Sequence, residues 1–247
     1  MDEYTASTYG DRIAGAYDGF YRPVDVSEYV DILEELADGG RALELGIGTG
    51  TFALPLAARG VDTHGIEISE AMVNQLRAKE GGAKMPISIG DFADVEVEGT
   101  FSLIFVISNT FFMLTEQEDQ IRCFQNVASH LDESGVFLVH AFVPDVSMFD
   151  RGQHLSGDLA DLASVRMDVS IHDSMNQVVD FRHIDMTEER IKMYPGRLRY
   201  AWPSELDLMA RLAGLRLRER WADWRRSPFT SGSRSHVSVY ERAGFVS

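Results

Sequence analysis

The chain has 247 residues, of which 45% are hydrophobic and 25% are charged, as in an ordinary globular domain. Its single cysteine excludes an internal disulfide and a zinc site built from cysteines. The sequence has neither an apolar run of membrane-spanning length nor the layout of a signal peptide, so we expect a cytoplasmic protein with no membrane partner. The net charge is −16, and the first 150 residues alone hold 8 basic and 26 acidic side chains, so they would repel the phosphates of a nucleic acid and we expect no such partner.

Helices and strands are predicted to alternate through the first part of the chain. Residues 11–38 are predicted to form two short helices on either side of Arg22-Pro23. Further helices are predicted over 51–59, 69–79 and 116–131, the last followed by a turn at 133–135. Strands are predicted over 41–45, 61–67, 86–89, 101–107 and 136–142. Because these strands are largely apolar and helices separate them, the pattern indicates a parallel sheet covered on both faces.

After residue 144, polar and apolar residues alternate, which is typical of an antiparallel sheet with one solvated face. Its strands are predicted over 165–171, 177–186 and 190–200, with turns at 173–176 and at Pro195-Gly196. A loop at 152–154 is a candidate lid. A helix over 204–213, ended by Gly214, and strands over 215–224 and 236–241 are predicted to close the chain. The arginines of the first closing strand are expected to form a solvated face: Arg216, Arg218 and Arg220.

These elements divide the chain into four expected parts. They are an N-terminal helical lid (1–40), a Rossmann-like core (41–147), an antiparallel β insertion (148–202) and a last helix with two strands that return to the core (203–247). We expect the insertion to line a ligand pocket, to form a homodimer interface, or to do both.

A glycine-rich loop follows the first strand of the core. It reads Glu44-Leu45-Gly46-Ile47-Gly48-Thr49-Gly50-Thr51, and its glycines allow the backbone to approach a ligand closely. A dinucleotide fingerprint would need a glycine at position 51, where this chain has threonine. A carboxylate at position 44 would also repel a pyrophosphate, whereas it suits a cationic ligand.

Two further acidic residues follow the next two strands. Glu67 can accept hydrogen bonds from two ribose hydroxyls. Asp91 can accept a hydrogen bond from an adenine amine, while Phe92 packs near the ring. Three successive strand ends therefore predict a site for an adenosine joined to an amino acid.

In this order, Glu44–Gly50, Glu67, Asp91-Phe92 and the apolar strand 101–107 resemble the motifs of the class I S-adenosylmethionine-dependent methyltransferases. The resemblance implies an α/β fold with a seven-stranded sheet of six parallel strands and an antiparallel last one. It also implies helices on both faces and an antiparallel β insertion before the last helix. The implied cofactor is S-adenosylmethionine, with no metal.

The resemblance further implies which residues hold the cofactor. The expected contacts are Tyr9, Tyr17, Tyr21, Glu44, Gly46, Gly48, Gly50, Glu67, Ile68, Met72, Asp91, Phe92, Ser108 and Asn109. The segment 9–21 is similar to the N-terminal helices of family members that methylate amino sugars and other natural products. A small-molecule acceptor is therefore implied.

Methyl transfer from a sulfonium needs mainly alignment and a dry site, with a base where the acceptor carries a proton. Tyr17 and His140 are the expected catalytic residues, since Tyr17 belongs to the helix expected over the cofactor and His140 lies near the carboxyl end of a strand. His154, His172 and His183 are further candidate bases. The residues expected to bind the acceptor are Phe111, His183, Tyr194, Arg199 and Trp202.

The predicted reaction is methylation of an N or O atom of a small organic acceptor of natural-product or amino-sugar type. Methylation of a carbon in an electron-rich aromatic ring is a less favoured alternative. An NAD-dependent oxidoreductase is an alternative of another class, and Glu44 and Thr51 argue against it. A non-catalytic protein that binds S-adenosylmethionine is a third, and the undamaged glycine loop and acidic residues argue against that one.

Overall fold

The computed structural model describes residues 4–20, 25–94, 96–159 and 164–244. The α-helices in these ranges are α1 (Thr8–Ile13), α2 (Tyr17–Phe20), α3 (Ser27–Ala37), α4 (Ala53–Ala58), α5 (Glu70–Arg77), α6 (Gln117–His130) and α7 (Pro203–Leu212). The strands are β1 (Arg41–Leu45), β2 (Asp62–Glu67), β3 (Ile87–Ile89), β4 (Phe101–Val106), β5 (Leu131–Phe142), β6 (Gln153–Leu159), β7 (Ser164–Asp173), β8 (Val178–Thr187), β9 (Ile191–Arg199), β10 (Leu215–Trp221) and β11 (Ser235–Arg242).

The main sheet has seven strands in the order β10-β11-β5-β4-β1-β2-β3. Strand β11 runs antiparallel to both of its neighbours, and the other pairs are parallel. This confirms the predicted sheet of six parallel strands and one antiparallel last strand. Because β1 lies beside β2 and β2 beside β3, the carboxyl ends of these three strands meet at one edge.

Both faces of the main sheet are buried under helices. On one face, Leu33 of α3 packs with Leu103 and Phe105 of β4. On the other, Phe124 of α6 packs with Ile104 of the same strand. From Leu103 to Val106, successive residues of β4 thus face two different cores in turn, which explains why this part of the strand is apolar.

The N-terminal helices differ from the predicted pair. Two short helices, α1 and α2, precede residues 21–24, and Gly15, a poor helix former, lies between them. The predicted break at Arg22-Pro23 lies outside the described residues. Further along the chain, Ser69 caps α5 by accepting a hydrogen bond from the Met72 N–H at 3.2 Å.

The insertion is an antiparallel sheet in the order β6-β7-β8-β9, as predicted in kind. Two local predictions were wrong. Residues 153–154 begin β6 and pair with β7, so His154 lies on a strand and not in a lid loop. Pro195-Gly196 lies inside β9 and makes no turn, and a Cβ at position 196 would lie 2.0 Å from Cζ of Phe181. The glycine is therefore required by a facing aromatic ring.

Two irregularities of the main sheet also correct the sequence analysis. Phe101 pairs with Leu131 and Leu103 with Val136, so residues 132–135 bulge within β5 where a free turn was predicted. A second bulge lies between Leu217 and Glu219 in β10. It reverses the alternation of side chains, so Arg220 turns inward and is not part of a solvated face.

Within the described ranges, none of the helices combines the length and the apolar character needed to cross a membrane.

Candidate active site

The glycine loop lies between β1 and α4, at the carboxyl edge of the main sheet. Gly46, Gly48 and Gly50 all have positive φ, of 70°, 55° and 81°. A Cβ at position 46 would meet Cγ2 of Thr110 at 2.5 Å, and one at position 50 would meet Leu54 at 2.8 Å. A Cβ at position 48 would meet only the carbonyl oxygen of Gly46, at 3.9 Å. Gly48 therefore borders open space, as a backbone in contact with a ligand requires.

Glu44 is buried beneath this loop, with 4% of its surface exposed. Burial raises the pKa of its carboxyl well above the ordinary value. Its Oε2 is enclosed and has no hydrogen-bond partner among the described residues. Since a buried carboxylate needs a cationic or N–H donor, this orphaned oxygen fits the amino group of a bound amino acid.

Glu67 connects the end of β2 to the glycine loop. Its Oε2 accepts a hydrogen bond from the Gly48 N–H at 2.9 Å, and its Oε1 accepts one from the Ser69 N–H at 2.9 Å. Burial raises the pKa of this carboxyl as well. A carboxylate has about four acceptor positions, so after these two bonds it can still accept from two vicinal hydroxyls.

A cleft of about 270 Å³ lies at the residues that follow β2 and β3, and the N-terminal residues 4–6 also line it. Ile68, Asp91 and Phe92 line one side, and residues 113–116 with Asp119 line another. Asp91 accepts a hydrogen bond from the Ala93 N–H at 2.9 Å through Oδ1, which orients its carboxylate. Acidic and aromatic groups at the edge of a small cleft suit an adenine ring.

The N-terminal segment is held against the glycine loop, the start of α5 and β9 by contacts that sequence reasoning missed. Thr49 donates a hydrogen bond to Asp18 of α2 at 2.6 Å, and Lys79 pairs with the same carboxylate at 2.6 Å. Ser69 Oγ donates to Asp11 of α1 at 2.6 Å. The hydroxyl of Tyr4 accepts from the backbone N–H of Arg197 in β9 at 3.1 Å. Both partners of each contact are distant in sequence, so no local pattern could have revealed them.

A larger cleft of about 380 Å³ opens at the opposite edge of the main sheet, between Arg41, His64 and Glu98. The guanidinium of Arg41 is already engaged within the protein, because it donates to the Glu98 carbonyl at 3.4 Å and pairs with Asp62 at 3.4 Å. Ligands of parallel sheets bind at the carboxyl ends of the strands, and this cleft lies at the amino ends. We therefore place the functional site at the other edge.

Comparison with known proteins agrees with this geometry. Residues 42–135 match a family model described as a methyltransferase domain. The chain is 39% identical to the CcbJ methyltransferase from Streptomyces caelestis. The two structures superimpose with a TM-score of 0.91, and the match covers 98% of this chain and 100% of the CcbJ chain. The chain belongs to the class I S-adenosylmethionine-dependent methyltransferases.

Two other relatives of this methyltransferase are informative. The cypemycin N-terminal methyltransferase of a Streptomyces species is 27% identical over 208 residues, which cover 83% of this chain and 84% of the relative. CalS10 is an amino pentose methyltransferase from Micromonospora echinaspora whose structure was determined with S-adenosylmethionine bound. It shares the fold with a TM-score of 0.67 at 20% identity, and the match covers 91% of this chain and 96% of the CalS10 chain. S-adenosylmethionine is the methyl donor of the family, and the orphaned oxygen of Glu44 and the open space at Gly48 fit its presence.

The expected cofactor contacts in the N-terminal helices lie around a small apolar cluster. Tyr17 packs with Ile13 and Met72, which joins α2 to α5. Tyr9 contacts Phe181 of β8, with ring centroids 5.7 Å apart. Tyr21 lies outside the described residues. The cofactor roles of these residues remain predictions.

The turn after β4 holds two further expected contacts of the methyltransferase with its cofactor. Ser108 is exposed, and both it and Asn109 have positive φ, of 59° and 69°. The side chain of Asn109 is used within the protein, where its Oδ1 accepts from the Phe142 N–H at 2.8 Å. Its amide nitrogen is the group left to meet a ligand.

His140 lies beside this turn near the end of β5. Its Nδ1 accepts a hydrogen bond from the Ser108 N–H at 3.3 Å, so the ring hydrogen resides on Nε2. Burial lowers its pKa to about 4, so the imidazole is neutral at physiological pH. In this state His140 offers a donor and not a base. Its expected catalytic role remains a prediction.

The residues expected to bind the acceptor fall into two groups. Two of them are committed to the fold of the methyltransferase: Phe111 is fully buried in the core, and Arg199 is 6% exposed and paired with Glu205 at 2.7 Å. Neither side chain is available to an acceptor in this structure. The pattern of alternating residues in β9 could not reveal that Arg199 turns inward to a partner on α7.

The other expected acceptor residues lie on the inner face of the insertion or near it. His183 is hydrogen-bonded to Asp168 and packs between Phe20 and Phe181. Tyr194 is 5% exposed and packs edge-on against Phe20. Trp202, just before α7, is 39% exposed.

The two remaining candidate bases are engaged at the far end of the insertion. The Nε2 of His172 is 3.0 Å from the Tyr200 hydroxyl, and its ring stacks on Phe149. The Nδ1 of His154 is 3.1 Å from the carbonyl oxygen of Met148. Among the described residues, we find no cluster of three or more His, Cys, Asp or Glu side chains suited to hold a metal ion.

Proposed function

We propose that this methyltransferase methylates an amine nitrogen of a small natural-product acceptor. The state of His140 carries the proposal, since its Nδ1 is occupied by Ser108 and its pKa is lowered to about 4 by burial. A hydroxyl acceptor needs a strong base to take its proton, whereas an amine exists partly as the free base in neutral water and supplies its own lone pair. The name of the cypemycin N-terminal methyltransferase points to the same kind of acceptor atom.

The acceptor space is proposed to lie between the inner face of the insertion and the carboxyl ends of β4 and β5. Aromatic rings gather there: Tyr9 is 5.7 Å from Phe181, and Phe20 is 5.1 Å from His183. Asp168 adds a carboxylate beside His183. The guanidinium of Arg166 already covers one face of Phe20, 4.6 Å from its centroid, and donates to the Phe20 carbonyl. The remaining aromatic faces together with the carboxylate of Asp168 favour a cationic or amine-bearing acceptor over an anionic one.

The residues of the chain supply binding and alignment. Glu44, Glu67 and Asp91 are proposed to hold the amino-acid, ribose and adenine parts of the cofactor, and α1 and α2 exclude water from the site. When bound, S-adenosylmethionine supplies a sulfonium methyl group, to which the amine nitrogen bonds as the carbon–sulfur bond breaks and the amine proton passes to water.

Matched acceptor pairs test this proposal. The purified protein is incubated with S-adenosylmethionine and with aminopentoses or short peptides that carry either an amine or a hydroxyl at the same position. We expect release of S-adenosylhomocysteine and mass-spectrometric gain of one methyl group on the amines alone. Methylation of the hydroxyl partner or of an aromatic carbon would overturn the choice of nitrogen. Reduced NAD serves as a control and should not bind.

We also propose that a second copy of the chain covers the outer face of the insertion. Large apolar side chains on this face are exposed: Leu155 (62%), Val169 (37%), Ile171 (60%), Ile191 (62%) and Met193 (61%). They lie on one face because residues paired across antiparallel strands point the same way, as Leu155 and Val169 do. A contiguous apolar face of this kind marks an interaction site.

Area and charge favour a second copy as the occupant. Four strands of 7 to 10 residues, about nine on average, span roughly 19 by 30 Å, or about 570 Å² in projection, which approaches the ~800 Å² that each partner contributes to a stable interface. The chain carries a net charge of −16, yet on this face Asp180 is paired with Arg197, and the exposed Arg182, which is paired with Val169 in the strand register, adds a positive charge. An isologous contact through this face keeps the acidic surfaces of the two copies apart.

Sedimentation of the full chain tests the dimer. We expect the wild type to be a dimer at micromolar concentration and the double variant Ile171→Glu, Met193→Glu to be a monomer. Leu208→Glu places the same charge on an apolar residue of α7 that is 57% exposed, and this control should remain dimeric. A monomeric wild type would refute the proposal and leave the face to a different partner.

A further inference from the structure

The turn between β4 and α6 holds an unusual backbone conformation at the edge of the active site. Ser108 and Asn109 have positive φ in succession, of 59° and 69°, and neither is glycine. L-residues with side chains rarely adopt this region, and two in a row persist only where the surroundings impose it. Ser108 is exposed, so packing of its own side chain does not hold the turn.

Strand β5 supplies the bonds that hold this turn. The Ser108 N–H donates to the imidazole Nδ1 of His140 at 3.3 Å, and the Asn109 N–H donates to the carbonyl of His140 at 3.2 Å. The Phe142 N–H donates in return to Oδ1 of Asn109 at 2.8 Å. One of these three bonds depends on the side chain of His140. That bond is donated by Ser108, the first of the two residues with positive φ.

The imidazole is itself held in place from the other side. The ring of Trp224 lies 5.3 Å from that of His140, and the ring of Tyr29 lies 6.2 Å away, both edge-on. Trp224 is 6% exposed and lies 4.5 Å from Tyr29. An aromatic wall built from α3 and the segment after β10 therefore fixes the direction in which Nδ1 points.

We propose that His140 is a positioning residue, whose Nδ1 holds the Ser108–Asn109 turn in the conformation that aligns the reacting groups. Methyl transfer is sensitive to alignment, and a displacement of about 1 Å can cost on the order of 100-fold in rate. His140 then acts through the turn and takes no proton from the acceptor. This role extends the proposed amine methylation, in which no base is assigned to His140.

Three substitutions at one position separate positioning from base catalysis. His140→Asn places an amide oxygen near the position of Nδ1, and His140→Gln places it farther out, near the position of Nε2. His140→Ala removes the acceptor. We expect the alanine and glutamine variants to lose about 10- to 100-fold in kcat and the asparagine variant to recover to within about threefold of the wild type. If asparagine is as impaired as alanine, or if alanine is fully active, positioning by Nδ1 is refuted.

Two measurements need no acceptor and so distinguish failure of this proposal from failure of the proposed function. Hydrogen exchange of the Ser108 amide should be slow in the wild type and in His140→Asn and fast in His140→Ala. Nitrogen NMR of histidine-labelled protein should show His140 as the Nε2–H tautomer. Calorimetry with S-adenosylhomocysteine, together with melting temperatures, verifies that each variant is folded. Fast exchange at Ser108 in the wild type, or the Nδ1–H tautomer, would overturn the proposal even if an amine acceptor is found.

Discussion

Substitution of Gly48 by alanine tests the cofactor site most directly. Gly46 and Gly50 are required by the protein's own packing, because a Cβ at either position would lie within 3 Å of a neighbouring side chain. At Gly48 the added methyl group would meet only a carbonyl oxygen at 3.9 Å. The free protein therefore has room for it, and the space it would fill is the space that we propose for the ligand.

The two expected effects differ in size and can be measured separately. Gly48 has φ of 55°, and holding an alanine there costs about 1–2 kcal/mol of folding free energy. For a chain of this length, that corresponds to a fall of roughly 2–8 °C in melting temperature. A methyl group in the ligand's space should cost at least about 1.4 kcal/mol of binding, which is a tenfold loss of affinity.

Gly214→Ala provides the matched control. Gly214 has φ of 73° and no heavy atom within 4 Å of an added Cβ, and it lies just before β10, at the amino edge of the main sheet. Both variants should lose similar thermal stability, but only Gly48→Ala should lose affinity for S-adenosylhomocysteine in a calorimetric titration. If Gly48→Ala binds S-adenosylhomocysteine as tightly as the control, the backbone at residue 48 does not border the cofactor.

Three further substitutions, the last with a matched control, probe charged side chains of the proposed site and of the core. Burial raises the pKa of Glu44 above its value in the unfolded chain, so the wild type should lose stability as pH rises from the unfolded pKa toward the folded one. Glu44→Gln should abolish that decline in a pH series of melting temperatures, and it should also weaken S-adenosylhomocysteine binding. An unchanged decline would exclude Glu44 as its source. Asp91→Asn should bind S-adenosylhomocysteine about tenfold less tightly at an unchanged melting temperature, and a large loss of stability would mean that Asp91 is structural. Arg199→Ala leaves the Glu205 carboxylate without its buried partner and should lower the free energy of unfolding, measured with denaturant, by about 3–5 kcal/mol. The control Arg197→Ala, at an exposed pair, should lower it by less than about 1 kcal/mol. Equal losses would contradict the burial argument.

The place of the proposed cofactor site could be inferred from the sequence because its acidic residues lie at strand ends. Glu44 is the penultimate residue of β1, Glu67 ends β2 and Asp91 follows β3, and parallel strands place their carboxyl ends at one edge. The glycine spacing distinguished this loop from a dinucleotide loop without any structural information. Local pattern was sufficient here because each residue's role follows from its own strand.

The acceptor side was less predictable because its residues depend on contacts between distant segments. Nothing in the sequence near Arg199 shows that it meets Glu205, and the alternation in β9 is compatible with either face. His140 was expected to be a base from its position on a strand. Its hydrogen bond to Ser108 forms across the sheet, and that bond together with burial makes it neutral and a donor at its free nitrogen.

Periodicity, glycine spacing and strand-end charges were therefore enough to determine the class of fold, the order of its elements and the kind of cofactor, because these are properties of short segments. Only the tertiary structure decided the bulges in β5 and β10, the ion pairs that bury arginines, the hydrogen bonds of Asp11 and Asp18 to Ser69 and Thr49, and the strained turn after β4. Each of these arises where two segments far apart in the chain form hydrogen bonds or ion pairs with each other. The interaction energy of such a contact depends on both partners, so neither segment reveals it alone.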